Sequence, residues 1–137
     1  MTPDGLIVCA STFEPKTTVD RVVAAVTQRG MAVLARIDHA QAAAKVGMEL
    51  RPTEVLTFGN PKAGTPLMQQ SQTMGIDLPL RILVWEDGEG KTRLAYNDPQ
   101  WLARRHGADT GNEISLGVMS AALAAVARIA TTDDEKP

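Results

Sequence analysis

Cysteine is almost missing: Cys9 is the single one in 137 residues. No internal disulfide can form, and nothing in the thiol content points to an oxidising compartment. Cys9 lies within the apolar run Leu6 to Ala10, where a buried strand thiol is expected in preference to a nucleophile, because burial disfavours the reactive thiolate. Aromatic residues make up only 4%, so the core has to be aliphatic. Basic clusters are lacking as well. Net charge is −2, and Arg104-Arg105 is only a pair, which argues against a nucleic-acid partner. The two histidines show no His-x3-His spacing and no Cys-x2-Cys pair occurs, so no structural metal site is expected. A loose carboxylate–histidine site drawn from Asp38, His39, Asp98 and His106 stays open. No serine stands in a Gly-x-Ser-x-Gly elbow. No basic region precedes the first short apolar run, so a signal peptide is not expected. Ile114 to Ala130 is too short and alanine-rich for a convincing membrane span. A cytoplasmic protein without a membrane partner is the expectation.

What is present is an ordinary single-domain length with 44% apolar residues, enough to bury a core without staples. One domain is expected over 1–130, followed by an acidic, disordered tail, 131–137. Gly5 to Ser11 reads as a buried strand. Thr17 reads as the cap of a helix whose Val19, Val22, Val23 and Val26 share one face, with Gly30 closing it. Met31 to Ile37 is a second strand. Asp38 caps a short alanine-rich helix, His39 to Val46. Thr53 to Phe58 is a third strand. Leu78-Pro79-Leu80 leads into a fourth strand ending at Glu86, and Asp87-Gly88-Glu89-Gly90 turns it back into Thr92 to Tyr96. Asp98-Pro99 opens a helix through about His106. Asn112 caps a last helix, with Leu116, Met119, Leu123, Val126 and Ala130 as its apolar stripe and Ile114, Val118, Ala122 and Ile129 widening it. The resulting fold class is α+β in two layers: one mixed or largely antiparallel sheet of about five strands covered by helices.

The most distinctive segment is Phe58-Gly59-Asn60-Pro61-Lys62-Ala63-Gly64-Thr65-Pro66-Leu67-Met68. Its two glycines have the spacing of a phosphate loop, but Thr65 stands where the lysine belongs and Pro66 where the metal-binding hydroxyl belongs. Nucleotide hydrolysis is therefore not expected. A weaker reading survives, in which Asn60, Lys62, Thr65 and backbone N–H groups hold a small anion. The alternative is a tight structural turn. Pro61 suits the first turn of a helix running to about Gln70, whereas Gly64 and Pro66 argue for a loop or irregular turn. Asp38-His39 can pair a carboxylate with an imidazole, or simply cap a helix. Tyr96-Asn97-Asp98 closes a strand and opens a helix, so all three can line the same sheet end as Asp38 and Asn60; the plainer account is core, turn and cap. His106 at a helix end fits the dipole.

Together these strings, with Leu67-Met68, Leu78-Pro79-Leu80 and Tyr96-Asn97-Asp98-Pro99, resemble the domain-of-unknown-function family DUF302 over about Phe13 to His106. The resemblance implies a small α+β domain, often dimeric, without an established activity or catalytic residue. Function is then expected to be that of a homodimeric module binding a small ligand, an anion by preference, near Asp38, His39, Asn60, Lys62, Thr65, Tyr96, Asn97 and Asp98. An enzyme using His39 or His106 as general acid–base, and a purely structural dimerisation module, are the alternatives. No cofactor is identified.

Overall fold

A computed structural model describes residues 2–134, 136 and 137. Met1 and Glu135, the latter inside the segment expected to be a disordered tail, lie outside the described residues. Five strands form one sheet: β1 (Leu6–Ala10), β2 (Ala32–Asp38), β3 (Thr53–Gly59), β4 (Leu80–Glu86) and β5 (Thr92–Asn97). Their order is β1-β5-β4-β3-β2, and all four pairings are antiparallel. The helices are α1 (Pro15–Gln28), α2 (His39–Lys45), α3 (Pro61–Gln70), α4 (Pro99–His106) and α5 (Glu113–Thr131), with a 3-10 helix at Gln72–Ile76.

Alternation along the strands sorts side chains onto two faces. Leu56 and Phe58 of β3, Ile82 and Val84 of β4, and Leu94 and Tyr96 of β5 point into the core. There they meet Val19, Val22 and Val26 of α1 and Leu116, Leu123 and Val126 of α5. The stripes expected at helical spacing thus do form the core, and it is aliphatic apart from Phe58 and Tyr96.

Three local expectations are corrected, and one left open is decided. Helix α1 starts before Thr17: Pro15 takes the first helical position and Glu14 the cap, without a side-chain cap bond. Proline at that position costs no donor, since the first N–H groups of a helix have no partner within it. Of the two readings open after Pro61, the helix holds: α3 continues through Pro66 to Gln70. The carbonyl deprived of a donor there belongs to Lys62, an exposed residue, where solvent can replace the missing bond. Asn112 makes no cap bond; its amide donates instead to the Ala108 carbonyl at 3.0 Å and to Gln70 Oε1. Of the residues expected to widen the α5 stripe, Ile129 is buried, but Ile114 and Val118 are 86% and 62% exposed. Helix α5 runs to a buried Thr131. By length and composition alone α5 can cross a membrane, yet one of its faces packs on the domain's own core.

Candidate functional site

Antiparallel pairing decides which candidates can meet. Ala32 lies opposite Gly59, and Asp38 opposite Glu54. Asp38 and His39 are therefore at the far end of the sheet from Asn60, about 20 Å away at ~3.3 Å per residue. The expectation that they share one sheet end with Asn60 is corrected by this register. Asp38 caps α2, accepting from the Gln41 N–H at 2.9 Å. Asp98 caps α4 in the same way, accepting from Gln100 N–H at 2.9 Å. Tyr96 is a core residue, and burial pushes its phenol pKa up. Asn97 pairs with Leu6 across β5 and β1.

Beside Asn60 lies a groove of about 800 Å³. It runs from the β2 and β3 ends beneath α3 and α5. Met31, Leu34, Met68, Leu78, Val118 and Met119 give it an apolar wall, while Asn60, Thr65 and Arg29 supply polar groups. Asn60 and Thr65 thus line one groove; Lys62 is exposed and outside the lining. Gly64 packs closely under Leu78: a Cβ there would lie 3.3 Å from Leu78 Cδ1, a tight contact with the end of a flexible side chain.

The backbone cradle imagined for an anion is already used. Asn60 Oδ1 accepts from Lys62 N–H at 3.0 Å, and the Asn60 carbonyl accepts from Ala63 N–H at 3.0 Å and Gly64 N–H at 3.3 Å. Pro61 and Pro66 have no donor to add. Positive charge reaches the groove instead through Arg29, which sequence reasoning missed. Arg29 is exposed, and no ion pair to it occurs among the described residues. Its position just after α1, next to Gly30, carries no motif, so only the fold reveals it.

Neither histidine lines the groove. His106 is held elsewhere: Nε2 is 2.5 Å from Asp77 Oδ2 and Nδ1 is 2.8 Å from Thr73 Oγ1. Arg105 joins Asp77 at 2.7 Å. This cluster fastens α4 to the 3-10 helix. His39 is exposed at the start of α2. Cys9 is half-buried against the core, and burial pushes its thiol pKa up, only partly offset by a hydrogen bond to Thr131. A second, polar groove of about 540 Å³ contains Asp38 at the other sheet end, where Arg36 and Glu54 form an ion pair at 2.9 Å.

Comparison with known proteins agrees with this architecture. A crystal structure of an uncharacterized conserved DUF302 protein from Bacillus stearothermophilus superposes with a TM-score of 0.81 at 18% identity, covering 95% of this chain and all of that one. Proteins described as fluoride-specific ion channels, FluC 1 of Brucella suis biovar 1 and FluC 2 of Brucella melitensis biotype 1, are each 42% identical over 129 residues. That alignment covers 94% of this chain but 51% and 48% of theirs, so the chain spans about half the length of these relatives. The model of the family described as domain of unknown function DUF302 matches residues 7–126. Sheet order, helix placement and this match over most of the chain place the protein in the DUF302 family.

Proposed function

We propose that the domain is a binding module for a small amphipathic anion, and that it acts as a homodimer. One observation carries the ligand reading: an apolar groove of about 800 Å³ has a single cation, Arg29, and two neutral polar side chains, Asn60 and Thr65, on its walls. Concave, mainly apolar sites with a few placed polar groups are the usual form of small-molecule sites. The apolar body of the ligand lies along Met68, Leu78 and Met119, and its charged end sits at Arg29. Asn60 Oδ1 is committed to the Lys62 N–H, which leaves the Asn60 Nδ2 amide and the Thr65 hydroxyl to orient the head group.

The test compares two probes with related aromatic bodies. One is 8-anilinonaphthalene-1-sulfonate; the other is N-phenyl-1-naphthylamine, which lacks the sulfonate. The sulfonate binds more tightly, by about fivefold, since an exposed charge pair contributes up to ~1 kcal/mol. Arg29→Gln removes that difference, whereas Lys62→Ala leaves it unchanged. Equal affinity for both probes, or a difference lost with Lys62 rather than Arg29, overturns the assignment.

A further inference from the structure

The sheet face turned away from α1 and α5 carries an apolar row in register across all five strands. Val8 lies opposite Ala95, Ala95 opposite Leu83, Leu83 opposite Val55, and Val55 opposite Ile37. Val8, Leu83, Val55, Ile37 and Trp85 lie outside the core cluster and are not packed against it, whereas Ala95, 1% exposed, is a buried floor to the row. Ile37 is 45% exposed, while Val8, Leu83, Val55 and Trp85 are half-buried. An antiparallel sheet with one solvated face normally alternates apolar and polar residues, and a polar outer row is expected here. A continuous apolar row in that place marks a contact surface.

The row is centred on Leu83, at the middle of β4, which is itself the middle strand of the sheet. Side chains two residues apart share a face, so Arg81 and Trp85 flank Leu83 on either side. Thr57 and Thr53 flank Val55 in the same way, and Asn97 and Arg93 flank Ala95. We propose that this face joins two copies of the chain about a two-fold axis running along the row. Such an axis sets Val8, Leu83, Val55 and Ile37 each against its own counterpart, apolar on apolar, with the buried Ala95 between Val8 and Leu83. It also exchanges the flanks, so Arg81 lies over the partner's Trp85, Thr57 meets the partner's Thr53, and Asn97 meets the partner's Arg93.

This self-matching is the reason for choosing a second copy as the occupant. A guanidinium over an indole is a favourable pair. Arg93 brings no unbalanced charge, because Asp87 holds it at 3.0 Å. Arg81 donates to the Ile76 carbonyl at 3.2 Å, and its flat guanidinium face remains available for stacking. The size also fits. Five strands spaced at ~4.8 Å and about 20 Å long give on the order of 500 Å² in plan. Side-chain relief raises this toward the ~800 Å² per partner of a standard interface. Two sheets packed face to face at ~10 Å is a common arrangement, and the rotation of about −30° between them displaces edge strands more than β4. The Leu83 and Arg81–Trp85 contacts are therefore the ones that define the interface. The surface rests on the proposed homodimer but not on the groove, which lies on α3 and α5, so the two readings fail separately.

Light scattering on a sizing column tests the proposal. The wild-type chain is expected to run at twice its 14.7 kDa mass. Leu83→Glu is expected to run as a monomer with an unchanged far-ultraviolet spectrum, because Leu83 does not face the core. Val118→Glu, on the exposed side of α5, is expected to remain dimeric. A second readout does not depend on Leu83→Glu folding: Leu83→Cys in a Cys9→Ser background cross-links to itself with a short bismaleimide, and Ile76→Cys does not. A wild-type monomer at high concentration, a dimer lost in Val118→Glu but kept in Leu83→Glu, or cross-linking through Ile76→Cys alone would overturn it.

Discussion

Gly5→Ala is expected to be among the more damaging small substitutions in this chain. Gly5 has φ +75°, and a Cβ placed on it would lie 2.3 Å from Trp101 Cδ2 and 2.5 Å from Cγ. Two costs add. Holding a non-glycine residue in the left-handed region costs about 1 kcal/mol. Moving a rigid indole that packs on the core costs about 2 kcal/mol more, in the middle of the range for overpacking. Gly5 also accepts the Asp98 N–H at 2.7 Å, so a shift there disturbs the residue that caps α4. The expected loss is about 3 kcal/mol, or a fall in Tm of about 10 °C for a domain of this size. Urea unfolding followed by circular dichroism measures it, with an unchanged m-value as the check that only stability has moved. Trp101→Ala separates the two costs. In that background Gly5→Ala loses only the backbone part, about 1 kcal/mol, leaving a coupling of about 2 kcal/mol between the two sites. A loss below ~1 kcal/mol in the wild-type background, or no coupling to Trp101, refutes the steric reasoning.

Two further outcomes follow from the same structure. Asp87 accepts from the N–H groups of Lys91 and Glu89 and from Arg93, and the Lys91 N–H, followed by Arg93, holds its carboxyl below the usual range. A depressed folded-state pKa stabilises above the unfolded value of ~3.9 and is lost as pH falls through the folded value. Protection of the Lys91 and Glu89 amides, taken relative to the intrinsic exchange rate at each pH, should therefore fall on acidification below that range, and Asp87→Asn should flatten the dependence; protection that stays constant with pH counts against it. Arg21 donates to the Ile129 carbonyl at 2.7 and 3.0 Å and to the Thr132 carbonyl at 3.0 Å, and it stacks over Phe13 at 4.4 Å. Lysine cannot reproduce that fork, so Arg21→Lys is expected to lose about 1–2 kcal/mol in denaturant unfolding, comparable to hydrogen bonds from a charged donor.

The elements were largely legible because their signals are local. Asp38 and Asp98 before short helices, the Asp87-Gly88-Glu89-Gly90 turn and the valine spacing of α1 each act through neighbouring residues. Errors arose where a local signal was outvoted. Thr17 looked like a cap, but Pro15 two residues earlier already fixes a helical φ. Pro66 left helix and irregular turn both open; the helix holds because Leu67, within α3, is buried and the residue that loses its bond, Lys62, is exposed. The site was legible only in half. Asn60 and Thr65 sit on one loop and helix, so sequence proximity found them together. Arg29, Leu34 and Val118 reach the groove from three other elements, and nothing short of the sheet order could join them. Strand register likewise separated Asp38 from Asn60, since antiparallel pairing sends the ends of β2 and β3 in opposite directions.

The groove reading is tested most directly by mapping where an amphipathic anion touches the folded protein. A ¹⁵N-labelled sample titrated with 8-anilinonaphthalene-1-sulfonate is expected to show amide shifts confined to Arg29, Ala32, Gly59, Gly64, Thr65 and Val118, which line one groove. Shifts centred on Asp38 and Gln41 at the other end of the sheet, or spread evenly over the chain, would contradict it.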